Sequence, residues 1–377
     1  MLHRPTKPGL VVLSLILAVG MALAGGCAPH MHKTPSLLVE LPDHCNTPDG
    51  CTLAPNGDVI LSVPNFNNNL LPKDQQAPAI LMRITPDNQI VDFYKFAAKD
   101  LHPDTKKVGP MGCDFGPDGH LYVADNHFFF DKNHKSRLLR INIRDGKPVG
   151  CDVVVEGFIV SNAVIWHGDT VYVSETILDE KPRPLPSGIY AFKLKELQGK
   201  EPVKLKPWTK DAPDPHLITV IHSSGKIGFG ADGLTFDSRG NLYCGIFEDG
   251  TVHKITFGKD GKVASNTVWA KAPHMKCCDG IFCDLRDDKI YVADMILNAV
   301  QVVCPCATVT TVASNADTDG TGGLIDQPCE VLIRGNDLIV VNMDMPFEGV
   351  VNTKFDKPWT LSVIKLDEPK PKKESAK

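Results

Sequence analysis

Six times along this 377-residue chain the same unit returns: a short apolar strand, a turn built on Gly or Asn, and a second strand. The first copy runs Pro48-Asp49-Gly50-Cys51-Thr52-Leu53, turns at Asn56-Gly57-Asp58, and continues as Val59-Ile60-Leu61-Ser62-Val63. The second is Met111-Gly112-Cys113-Asp114-Phe115, then Leu121-Tyr122-Val123-Ala124-Asp125. The third pairs Ser161-Asn162-Ala163-Val164-Ile165-Trp166 with Thr170-Val171-Tyr172-Val173, and the fourth pairs Ala231-Asp232-Gly233-Leu234-Thr235-Phe236 with Leu242-Tyr243. Cys278-Asp279-Gly280-Ile281-Phe282-Cys283 with Ile290-Tyr291-Val292-Ala293-Asp294, and Pro328-Cys329-Glu330-Val331-Leu332-Ile333 with Leu338-Ile339-Val340-Val341, complete the series.

The copies recur every 45 to 70 residues or so, the length of one four-stranded blade, and further β-rich runs such as 80–84, 137–141 and 299–303 supply third strands. Gly and Asn at the turns accept the positive φ of tight hairpins. Apart from a turn at 194–198, no helical periodicity of any length interrupts the pattern. The expected class is all-β, a six-bladed β-propeller. Residues 36–41 lie before the first inner strand and read as a strand themselves. They are expected to close the ring as the outer strand of the last blade, beside 360–364, because a propeller gains most by hiding its open edges. The expected organisation is 1–27 signal peptide, 28–35 tether, 36–366 propeller, and 367–377 a disordered Lys/Pro tail.

The N-terminus carries an address. Basic Arg4 and Lys7 precede the apolar stretch 10–23, followed by Ala24-Gly25-Gly26-Cys27, an export signal too short for a transmembrane helix. Cys27 after Ala-Gly-Gly resembles the lipobox of bacterial lipoproteins, although Ala24 stands where Leu is commonest. That resemblance implies a diacylglycerol on Cys27 and attachment to a membrane of the cell envelope, on the periplasmic side. Twelve cysteines in an exported chain point to disulfides or buried thiols, with a soft-metal site at Cys277-Cys278, Cys283 and Cys304-Pro-Cys306 as the alternative. A net charge of -5 without a basic cluster excludes nucleic acid as a partner.

Inner strands of a propeller converge on one axis, so equivalent positions meet at its mouth. Those positions hold Asp49, Met111, Asn162, Asp232, Asp279 and Glu330. Carboxylates gathered this closely resist ionisation unless a cation sits between them. Calcium, or another divalent cation, suits an all-oxygen set. A single Asp at such a turn more often only accepts backbone hydrogen bonds; the recurrence is what favours a metal.

These residues resemble the senescence-marker-protein (SMP-30) and gluconolactonase family of six-bladed, calcium-dependent lactone hydrolases, with paraoxonases as distant relatives. The resemblance spans about residues 42–366 and rests on blade repeats rather than on one long motif. It implies metal ligation by Asp49 in place of the family's Glu, by Asn162 and by Asp232, with Asp279 matching an additional paraoxonase ligand. It also implies that Asp232 is the general base. Two departures stand out. Gly109-Pro110-Met111-Gly112 replaces the Arg-x-Asn-Asp run that holds sugar lactones, and no His occupies the paraoxonase base position, leaving His44, His127 and His274 to approach the mouth from loops. A metal-dependent hydrolase of lactones or esters is therefore one expectation. The other is a non-enzymatic NHL-like binding propeller that presents the insertions 175–188 and 200–228 to a protein or glycan. A quinone-dependent sugar dehydrogenase on a similar propeller is disfavoured, since no basic and His cluster is evident. No Gly-x-Ser-x-Gly elbow supports an α/β-hydrolase route.

Overall fold

The computed structural model describes residues 32–368; Cys27, the rest of the signal segment and most of the Lys/Pro tail lie outside the described residues. Six antiparallel sheets follow one another in chain order, and with essentially no helix between them they form a six-bladed propeller. In each blade the first strand is innermost: Cys51–Leu53, Pro110–Phe115, Ser161–His167, Ala231–Phe236, Ile281–Asp284 and Pro328–Arg334.

The ring closes as the sequence predicts. Ser36–Glu40 pairs antiparallel with Thr360–Lys365, with Ser36 opposite Val363 and Glu40 opposite Thr360, so the first strand is the outer strand of the sixth blade. Val39 and Leu361 are buried in the same apolar cluster and clip the two chain ends together. Of the insertions read as binding loops, 200–228 contributes two strands to the blades. Val203–Lys204 adds a short parallel strand to the second blade, and Leu217–Ser223 is the outer strand of the third.

Second strands are buried on both faces, as at Val59–Val63 and Leu121–Asp125, because neighbouring blades cover them from either side. Thiols serve as small apolar groups in this packing. Nine of the described cysteines are free, eight of them buried, and one bridge joins Cys304 to Cys306. Burial pushes the Cys45 thiol up to about 12, which leaves it inert.

One device recurs in all six blades. At or within two residues of the end of each second strand stands an acid or amide that accepts an N–H from the segment leading into that blade's inner strand. Asn65 Oδ1 accepts from Asn46 N at 2.7 Å, Asp125 Oδ1 from Gly109 N at 2.8 Å, and Glu175 Oε2 from Ile159 N at 2.9 Å. Glu248 Oε2 accepts from Ile227 N at 2.7 Å, Asp294 Oδ1 from Cys277 N at 3.1 Å, and Asn342 Oδ1 from Asp326 N at 3.1 Å. These otherwise orphaned donors, buried in every blade but the fourth, are thereby satisfied, and the approach of each inner strand to the axis is fixed.

Candidate active site at the tunnel mouth

Immediately past those pinned segments, the inner strands break register with their partners. Shifts fall between Pro110 and Cys113, Ser161 and Val164, Ala231 and Leu234, and Pro328 and Glu330. A bulge places an extra residue on one strand and re-aims its side chain. Met111, Asn162 and Asp232 sit in these bulges, and with Asp49 and Asp279 they line one cavity of about 70 Å³ on the axis.

Glycine lets the strands come this close. A Cβ on Gly112 would lie 2.6 Å from Asn162 O, and one on Gly233 would collide with Asp279 O. The Gly233 N–H donates to Asp279 O at 3.2 Å, tying the fourth blade to the fifth at the axis.

Asp49, Asp232 and Asp279 are 5%, 4% and 8% exposed, and no Lys or Arg lines the cavity. Burial pushes the Asp49 carboxyl up to about 7, against a small opposing pull from the Gly50 N–H, and its Oδ2 is a buried oxygen with no hydrogen-bond partner. Asp232 and Asp279 share a hydrogen bond. Burial drives both well above the carboxylate range, and the charge of Asp49 adds to it. Glu330, part-buried beneath them, is raised by burial and by Asp49 and Asp232, while Oε1 accepts the Val331 N–H at 2.8 Å. Asn162 Nδ2 donates to Thr176 Oγ1 at 3.4 Å, which leaves its carbonyl oxygen for the mouth. An orphaned carboxylate oxygen, a proton-sharing acid pair and an amide carbonyl are a donor set suited to a hard divalent cation.

The three histidines lie elsewhere. His127 is fully buried, with Nε2 on Asp125 Oδ2 at 2.9 Å and Nδ1 on Thr105 Oγ1 at 3.0 Å. His274 Nε2 meets Val309 O at 3.2 Å, and His44 is exposed, 3.9 Å from Asp92. None of them lines the cavity, whereas Asn126, beside His127, does.

The rim above the acids is apolar. Phe66, Phe129, Phe229, Phe247 and Phe347 surround it, and Met295, Met343 and Met345 fill between them. Phe66, Phe129 and Met345 also border an adjoining groove of about 840 Å³ that contains Lys106, Lys107 and a run of asparagines.

The segment bearing Met111, Asn162 and Asp232 now decides the relationship. Residues 96–262 match the model of an SMP-30/Gluconolactonase/LRE-like region. Asp49, Asp279 and Glu330 fall outside the matched stretch and join the site through the fold alone. Similar solved structures share the architecture at low identity. A gluconolactonase from Xanthomonas campestris is 10% identical with a TM-score of 0.54, covering 90% of this chain and 97% of that one. The calcium-binding protein regucalcin from Agrobacterium tumefaciens is 11% identical with a TM-score of 0.51, over 90% and 98%. A PQQ-bound aldose sugar dehydrogenase from Streptomyces coelicolor is 14% identical with a TM-score of 0.55, over 90% and 99%. No curated protein sequence matches the chain.

Proposed function

We propose that this lactonase-type propeller is a calcium-dependent hydrolase of apolar lactones or esters, acting in the cell envelope. The observation that carries the reading is that Asp49, Asp232, Asp279 and Asn162 line one small cavity that no Lys or Arg lines, with Asp49 Oδ2 unpartnered. Those four residues would hold the ion. When bound, it polarises the substrate carbonyl and offsets the charge that develops on its oxygen.

The chain's own groups supply the proton transfer. Asp232, whose carboxyl burial raises well above the ordinary carboxylate range, takes the proton of the attacking water as its oxygen bonds to the acyl carbon. The same proton leaves with the alkoxide when the acyl C–O bond breaks. Phe and Met at the rim exclude bulk water and favour an apolar substrate. Met111 stands where sugar-lactone relatives carry polar residues, which disfavours a sugar.

Hydrolysis of a panel of aryl esters and alkyl lactones is measured after chelation and again after calcium is restored. Turnover that falls with chelator and returns with calcium supports the reading; turnover indifferent to both, or none in calcium-replete protein, sinks it. The groove with exposed Phe129 and Phe130 favours a second reading, a binding propeller for a protein or glycan. In that case Asp49→Asn with Asp232→Asn leaves partner capture untouched. The envelope location and lipidation of Cys27 belong to the same proposal, and an envelope fraction that retains wild-type protein but releases Cys27→Ala supports them.

A further inference from the structure

A second group of acids, outside the tunnel and with no counterpart in the other blades among the described residues, sits on the sixth blade. Asp326 ends the segment leading into Pro328–Arg334, Asp344 follows Asp337–Asn342, and Asp356 precedes Thr360–Lys365. Each offers an oxygen within 4.8 Å of the others. Asp326 and Asp344 are 1% and 2% exposed, and neither forms an ion pair among the described residues.

Their polar contacts leave ligand atoms over. Asn352 Nδ2 donates to Asp326 Oδ1 at 2.6 Å and to Asp344 Oδ1 at 3.4 Å, and Asp356 N donates to Asp344 Oδ2 at 2.9 Å. Asp326 Oδ2, on a side chain that is 1% exposed, accepts no hydrogen bond among the described residues and faces the 317–323 loop, where a Cβ on Gly320 would lie 3.1 Å from it. Asp356 Oδ1 is likewise buried without a partner. Asp317 and Asp319 on that loop add negative charge, which Lys354 partly opposes at Asp356. Burial, and then the charge of neighbouring acids, pushes Asp326 and Asp344 up to about 8.

We infer that Asp326, Asp344 and Asp356 form a second, structural calcium site that ties the 315–327 loop to the 343–359 loop. An all-oxygen set with spare carboxylate atoms and no thiolate or imidazole selects calcium over zinc. Its place in the fold gives it two consequences. Thr321–Gly323 packs on the closing strand Ser36–Glu40, and Met343, Met345 and Phe347 of the second loop form part of the tunnel rim. One ion thereby braces the ring closure and one wall of the mouth.

The test uses the full chain carrying Asp49→Asn and Asp232→Asn, so that calcium at the tunnel contributes nothing and the outcome is independent of the hydrolase reading. After chelation, calcium at a hundredfold excess over Kd is expected to raise Tm by about 5 °C, with one ion bound by calorimetry. Adding Asp356→Asn should abolish both effects. This variant keeps the backbone N–H that Asp344 uses and loses no hydrogen bond to Oδ1, so it decides the matter even if Asp344→Asn fails to fold. No calcium effect in the tunnel-disabled protein, or an effect that survives Asp356→Asn, overturns the inference.

Discussion

Asp232 and Asp279 share a side-chain hydrogen bond at the tunnel mouth, and burial holds both carboxyls well above the usual carboxylate range. The pair and Asp49, pushed up to about 7, contribute to the pH dependence of the ion-free protein together with Asp326 and Asp344, pushed up to about 8. A folded pKa above the unfolded one means that the folded state binds the extra proton. Stability is then full below the unfolded value near 4 and declines as pH rises toward and through the folded value. Ion-free protein should lose a few kcal/mol between pH 5 and pH 8, since each pKa unit is worth about 1.4 kcal/mol. Urea unfolding in chelator at the two pH values checks this. Millimolar calcium should remove or reverse the difference, because a bound cation favours the charged carboxylates.

Asp49→Asn separates charge from shape. The amide fills the same space but cannot supply an anionic ligand, so calcium affinity at the mouth should drop by about two orders of magnitude, along with chelator-sensitive hydrolysis. The ion-free variant should be at least as stable as wild type at pH 8, because one buried carboxylate has gone. Calorimetric titration and thermal melting read the two effects separately. Weaker calcium binding joined to unchanged or improved ion-free stability marks Asp49 as a ligand rather than a structural acid.

Asp125→Ala tests the pinning acids. Asp125 is fully buried; burial alone would raise its carboxyl, but His127, Arg137 and the Gly109 N–H outweigh it and hold it below the usual range. Its Oδ2 takes Arg137 Nε at 2.7 Å, so truncation strands a guanidinium that is 4% exposed. Breaking a buried pair from one side costs about 3–5 kcal/mol. Urea unfolding should show that loss, and Asp125→Asn, which retains an acceptor for Gly109, should lose less.

The architecture was legible because the blades repeat, and the meeting of Asp49, Asn162, Asp232 and Asp279 around one cavity was legible because each occupies the same place in a repeat. Asp232 alone is an ordinary turn residue; in register with Asp49, Asn162 and Asp279 it is a site. The pinning acids had the same visibility, since Asp125 and Asp294 both close a Val-Ala run, but strand alternation explains the strand and not the residue that ends it. Phe129, Phe229 and Phe347 come from loops with no fixed repeat position, so their meeting at the rim follows only from the fold. The same holds for Asp326, Asp344 and Asp356, brought together from three separate connections. His127 shows the converse. A loop histidine beside the mouth is consumed by Asp125 and Thr105, a partnership that sequence spacing does not reveal.

Gly323 bears on ring closure. It has φ +85, a left-handed conformation, and a Cβ there would run into the backbone of Ser36 and Leu37 on the closing strand. Backbone cannot swing aside as a flexible side chain can, so Gly323→Ala must either strain the loop or displace Ser36–Glu40 from Thr360–Lys365. Gly322, one residue earlier at φ +71, has open space around its Cβ position and isolates the conformational part of the cost. Gly322→Ala should cost about 1–2 kcal/mol from the left-handed backbone alone. Gly323→Ala should cost about 2 kcal/mol more through the clash. Displacing the closing strand bares the edge of Thr360–Lys365, and an unpaired edge is a template for association. Gly323→Ala should therefore also form soluble aggregates on heating that Gly322→Ala does not, as light scattering alongside thermal denaturation would show. Equal stability and equal scattering for the two variants would mean that the first strand is not what holds the ring shut.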